Sequence, residues 1–150
     1  MKLFVGIGNE IMGDDQIGIA VTRKLYERFK DKKGVCFITG SFNGMKLFDV
    51  IKDADEVVII DSIVGEEEGK LHKLDIDEVD RIKTIHPHSL GIALPVKLSQ
   101  KYFGKPISVK IYAIEVKEEN LKFSENISFY LKAKIEKIAD IIAKNELSND

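Results

Sequence analysis

The residues that could carry chemistry fall in a few short stretches of the chain. The first is Gly6-Ile7-Gly8-Asn9-Glu10-Ile11-Met12-Gly13-Asp14-Asp15, and the second is Gly40-Ser41-Phe42-Asn43-Gly44. Asp61 and Ser62 close an apolar run, and His86-Pro87-His88-Ser89 precedes a helical pattern. Asp15, Asp61 and one imidazole, His86 or His88, would together make an open oxygen/nitrogen site. Such a set suits zinc, nickel, manganese or iron(II), and three protein ligands leave positions for water or substrate. The residues alone leave a metal site and an acid–base site both open.

Each residue also has a plainer reading. Acidic residues at a helix start stabilise it by about 1 kcal/mol, and Asp14 takes that capping role. One carboxylate suffices for it, which leaves Asp15 open for another task. Asp61 ends Val57-Val58-Ile59-Ile60 and is either the first exposed residue of a strand or a carboxylate at the mouth of a cleft. A loop histidine is commonly a surface residue, and His88 equally suits a helix start. His72, in Leu71-His72-Lys73, reads as a solvent-facing strand residue. Cys36 is the one cysteine, which excludes an internal disulfide and disfavours thiolate metal sites. Its setting, Val35-Cys36-Phe37-Ile38, reads as a buried strand.

Gly6 and Gly8 fit the start of a dinucleotide-binding loop, but Ile11 stands where a third glycine belongs. Asp14 and Asp15 would repel a pyrophosphate from the following helix N-terminus. There is no Walker lysine either, so phosphate binding is disfavoured.

These stretches need a scaffold. Leu3 to Ile7, Val35 to Thr39 and Val57 to Ile60 are nearly all apolar, as expected of strands covered on both faces. Ile17, Val21, Leu25 and Phe29 recur every fourth residue and form one helical stripe, ended by Gly34. Met45, Leu47, Phe48 and Ile51 form a second, shorter helix after Asn43-Gly44. The order strand–helix–strand–helix–strand is that of a parallel sheet with right-handed crossovers. Gly69 to Leu74 alternates and allows an antiparallel strand at one edge, Asp75 to Lys83 a short helical turn, and Ile107 to Ile114 a further strand. Ser89 to Tyr102 reads as helical around Pro95, and Ile127 to Ile142 as one long amphipathic helix. Asn145 to Asp150 is expected to fray. The fold class that follows is α/β: a three-layer sandwich, a mostly parallel twisted sheet with helices on both faces. In open sheets of this kind, ligands bind beyond the carboxyl ends of the strands, where the strand order reverses. All the chemical stretches fit that rim.

The 150 residues suit one domain, 1–150. With 23 basic against 25 acidic residues the net charge is −2, and the basic excess typical of nucleic-acid binders is absent. No apolar run is long enough for a signal peptide or a membrane span, so no membrane partner and a cytoplasmic location are expected.

The motifs resemble one known family. Gly6-Ile7-Gly8-Asn9, Met12-Gly13-Asp14-Asp15 and Ile17-Gly18 look like the N-terminal signature of the hydrogenase maturation endopeptidases. The likeness continues through Asn43-Gly44-Met45-Lys46-Leu47, Asp61, His88-Ser89-Leu90-Gly91-Ile92, Ile114-Glu115 and Phe123-Ser124-Glu125. Gln16 stands where many members have glycine, and His86 is an additional imidazole. The resemblance implies an aspartyl-type or metal-dependent endopeptidase, a hydrolase. It would remove the C-terminal extension of a nickel–iron hydrogenase large-subunit precursor after nickel insertion. It further implies Asp15, Asp61 and His88 as both the metal-recognising and the catalytic residues. Nickel would arrive on the substrate, and another divalent ion such as zinc or cadmium could fill the same site. A metal-sensing or metal-carrying module without proteolysis is the alternative expectation.

Overall fold

Strand β1 (Lys2–Ile7) lies near the middle of a five-stranded sheet of order β2-β1-β3-β5-β4. Its neighbours are β2 (Val35–Gly40) and β3 (Glu56–Val64), followed outward by β5 (Ser108–Val116) and the edge strand β4 (Leu71–Asp75). The computed structural model describes residues 1–42, 44–78, 101 and 107–147. The pairs β1–β2, β1–β3 and β3–β5 are parallel, while β4 runs antiparallel to β5. The α/β class and the antiparallel edge are therefore as the sequence implies.

Apolar residues of β1, β3 and β5 feed two cores, one on each face of the sheet. On one face Phe4, Val58, Ile60 and Ile114 pack against Ile17, Val21 and Leu25 of helix α1 (Ile17–Phe29). On the other, Val5, Ile59 and Ile111 meet Leu47 and Ile51 of helix α2 (Gly44–Ile51). Central strands buried on both faces lose the usual alternation, which is why their sequences read as continuous apolar runs. From β1 the chain turns to one side to form β2 and then crosses to the other for β3. The strand order thus reverses between β1 and β3, the place where open α/β sheets take ligands.

Several expectations are corrected. Strand β2 lies at the sheet edge and is only partly covered, with Val35 and Phe37 on one core and Ile38 on the other, and Cys36 is exposed on it. The segment from Ile127 to Ile142 is not one helix. It divides into α3 (Phe129–Lys132) and α4 (Ile135–Glu146). At the break the Lys134 N–H donates to the Leu131 carbonyl, a tightened i→i+3 turn. The Lys134 ammonium is anchored on the Glu68 carbonyl, which fixes the new helix direction. The expected helix around Pro95 lies outside the described residues, apart from Lys101, which is helical. Among the described residues no helix is long and apolar enough to cross a membrane.

The C-terminal segment does not fray at Asn145. Helix α4 continues to Glu146, and Leu147 is buried. The reason is a buried ion cluster at the end of the sheet away from the chemical loops. The Glu146 carboxylate accepts a hydrogen bond from the Tyr112 hydroxyl at 2.6 Å. It faces the ammonium groups of Lys2 at 3.2 Å and Lys110 at 3.3 Å. Burial pushes this carboxyl up, but the tyrosine and the two lysines outweigh it and hold it below the usual glutamate range.

A buried ion cluster that loses one partner leaves uncompensated charge, at a cost of about 3–5 kcal/mol. Glu146→Ala should destabilise the protein on that scale at neutral pH, read by denaturant unfolding. Because the folded-state pKa is depressed, this stability is present above the ordinary glutamate pKa of about 4 and is lost as pH falls below it. The gap between wild type and variant should therefore narrow on acidification, and a gap that widens would contradict the account.

Candidate functional site

The loop after β1 is built to bring Asp15 back over the strand ends. The Gly8 N–H donates to the Gly40 carbonyl and the Ser41 hydroxyl to the Gly8 carbonyl, which fastens the loop to the end of β2. A side chain at Gly8 would run into the Asp15 carbonyl at 2.3 Å. Glycine is thus what lets the loop close on Asp15. Asn9 then makes a tight turn, its side-chain oxygen accepting from the Ile11 N–H at 3.1 Å. A 3-10 turn (Gly13–Gln16) carries both acids into α1.

The two neighbouring acids go to different places. Asp14 is 1% exposed and caps neither the 3-10 turn nor α1 with its side chain, which corrects the capping expectation. Its carboxylate instead accepts from the Ser128 N–H at 2.7 Å and the Ser128 hydroxyl at 2.8 Å. Asp14 therefore holds the entry to α3 against the loop. Gln16 adds a second tie, donating from its side-chain amide to the Glu125 carbonyl at 3.0 Å. Asp15 stays partly exposed and turns toward β3.

Asp15 and Asp61 are brought together at this rim. The Ser62 hydroxyl donates to Asp15 Oδ1 at 2.8 Å, and the Ser62 N–H donates to Asp61 Oδ1 at 2.7 Å. The other oxygen of Asp15 accepts from the Asn9 N–H at 3.0 Å. Asp61 is only 8% exposed. Burial pushes its carboxyl strongly up, the Ser62 amide pulls it partly down, and the charge on Asp15 pushes it up again, to about 8. At neutral pH Asp61 therefore favours its protonated form. His86 and His88 lie outside the described residues. Among the described residues no three acids, histidines or cysteines form a metal-holding group.

Sequence reasoning missed a further polar pair. His72 is not simply solvent-facing: its Nε2 lies 2.8 Å from the carboxylate of Glu115, which is almost fully buried. Across the sheet Asp61, Ala113 and His72 lie in one row of β3, β5 and β4 and share a face. The available signal was Glu115 itself, a lone charge at the end of an apolar strand, the same pattern that singled out Asp61.

The model of the HycI hydrogenase maturation protease family matches residues 19–145. The chain belongs to the hydrogenase maturation protease family. Asp61 and His88 fall inside that match and Asp15 just before it. The hydrogenase 2 maturation protease of Escherichia coli (strain K12) is 32% identical over 95 residues, covering 61% of this chain and 58% of that protein. The hydrogenase expression/formation protein HupD of Bradyrhizobium diazoefficiens is 30% identical over 93 residues, covering 59% of this chain and 48% of that one. The chain thus spans about half the length of these curated relatives. In fold it is similar to the hydrogenase maturating endopeptidase HybD from E. coli, with TM-score 0.79, 23% identity, and 96% and 90% of the two chains covered. It is also similar to the [NiFe] hydrogenase maturation protease HybD from Thermococcus kodakarensis, with TM-score 0.74, 22% identity, and 96% and 97% covered. At such identity the likeness speaks for the architecture.

In this family member a raised carboxyl pKa is a stability cost. Asp61 binds its proton more tightly folded than unfolded, so its contribution is most favourable below about pH 4 and is lost as pH rises toward about 8. Asp61→Asn keeps the shape and the acceptor for the Ser62 amide while removing the charge. Metal-free Asp61→Asn should gain about 1–2 kcal/mol at pH 7, and its unfolding free energy should lack the wild-type decline between those pH values. A variant less stable than wild type at pH 7 would refute the cost assigned to this carboxylate.

Proposed function

We propose that this chain is an endopeptidase that removes the C-terminal extension of a nickel–iron hydrogenase large-subunit precursor once nickel has been inserted. Family membership supports the reaction class. The observation that carries the reading is the meeting of Asp15, on the turn before α1, and Asp61, on β3, at the β1–β3 reversal point, tied by one serine. His88 completes the grip as an imidazole donor.

In this reading nickel is part of the substrate. It arrives on the precursor and docks on Asp15, Asp61 and His88, and the docked metal places the scissile peptide bond. The two acids suit this task because neither has an ion-pair partner among the described residues, and a cation that displaces the Asp61 proton meets two free carboxylates. Their field is therefore available to an incoming cation. A precursor without nickel offers nothing for them to hold, so metal insertion licenses the cut. Hydrolysis then adds water across the scissile bond, leaving a new carboxylate on the large subunit and an amine on the released peptide.

The test is to incubate the purified protein with nickel-loaded and nickel-free precursor and to follow the mass of the large subunit. The loaded precursor should lose its extension and the nickel-free one should not. Asp15→Asn and Asp61→Asn should each slow the cut by about 100-fold or more. Equal cleavage of both precursors would end the metal-licensing reading. Metal transfer without any mass loss would replace the peptidase with a metal-carrying module.

A further inference from the structure

We propose that Ser62 is the positioning residue that sets the placement of Asp15 against Asp61 for gripping the substrate's metal, an inference that rests on the function proposed above. The two acids reach the rim from different parts of the fold. Asp61 belongs to β3, a strand with partners on both sides, whereas Asp15 rides on a turn at the entrance to α1. Successive strand residues point to opposite faces. Asp61 belongs to the face shared with α2, and Ser62 to the face on which α1 packs. The Ser62 side chain therefore meets the incoming Asp15, while its own amide holds Asp61 Oδ1 at 2.7 Å. Among the described residues Ser62 alone hydrogen-bonds both carboxylates.

The remaining tie on Asp15 cannot replace this one. It comes from the Asn9 N–H at 3.0 Å, within the same loop, and so fixes the carboxylate to its loop but not to the strand. The Ser62 hydroxyl, at 2.8 Å, is what refers the loop carboxylate to the strand. The chemistry of the link matters as well. A lysine or arginine could hold two acids together, but it would neutralise the charge that a divalent cation needs. A hydroxyl holds Asp15 by a neutral donor and leaves the pair anionic on metal binding.

A hydroxyl in this position could also do no more than satisfy its own hydrogen bond, and the experiment separates the two roles. Ser62→Ala removes donor and acceptor together and leaves the strand amide in place, so the fold is kept and Tm changes little. In the free protein the side-chain carboxyl carbon resonance of Asp15 should shift and broaden as its tie to the strand is lost. With nickel-loaded precursor kcat/KM should fall about 10- to 100-fold, the scale of small misplacements of a binding group. Ser62→Thr restores the hydroxyl and should recover both readouts. An Asp15 resonance unchanged in Ser62→Ala, or an equal loss in Ser62→Ala and Ser62→Thr, would overturn the proposal. If the wild-type protein cleaves no precursor, the endopeptidase reading fails, and the Asp15 resonance still decides what Ser62 holds.

Discussion

The site depends on how closely the start of α1 can approach the sheet. Gly18 lies in the first turn of that helix, and a side chain there would meet the Ile60 carbonyl at 2.4 Å and the Ile7 carbonyl at 2.6 Å. With only a hydrogen at this point the helix rests directly on the last residue of β1 and the middle of β3. That contact places the preceding turn, and Asp15 with it, within reach of Ser62. Any larger residue would lift the helix, and the two carboxylates would separate even if every strand stayed in register. The Thr22 hydroxyl, which donates to the Gly18 carbonyl at 2.8 Å, braces the same turn from within the helix.

Two buried acids in this molecule show how differently burial can be used. Glu146 lies under two lysines and a tyrosine hydroxyl that favour its charged form. It closes the end of the sheet away from the site and fastens α4 to β1 and β5. Asp61 is similarly buried, yet among the described residues one backbone amide and no cation face it, and its charged form is disfavoured. Glu146 has acquired partners that fit a structural carboxylate, and Asp61 is left short of them among the described residues, as the proposed ligand role requires.

The strands and first helices were legible because their physics is local. Continuous apolar runs and a four-residue stripe report burial without knowledge of neighbours, and the alternating segment from Gly69 marked the edge strand. The failures share a different cause: each depended on a partner remote in sequence. Cys36 looks buried from its neighbours, but β2 is an edge, a fact fixed only by sheet order. His72 looks solvated until β5 brings Glu115 beneath it. The helix break before Ile135 follows from the anchoring of Lys134 on Glu68, across the sequence. At the site, strand ends pointed to Asp15 and Asp61, but nothing in the order of residues disclosed that Ser62 would link them.

The Asp14-Asp15 doublet shows the same limit and its resolution. Read along the chain, two adjacent acids before a helix look redundant. A 3-10 turn has about three residues per turn, so neighbouring side chains leave it roughly 120° apart. One acid must then face the protein on one side of the loop while the other faces elsewhere. Asp14 points to Ser128 and fixes the segment leading into α3, and Asp15 points to Ser62 and the strand ends. The loop is thereby tied on two sides by two serines, and its glycines supply the close approach rather than the mobility often associated with them. A turn of this kind turns sequence adjacency into spatial divergence, and for that reason a pair of identical residues can be held by two different parts of the fold.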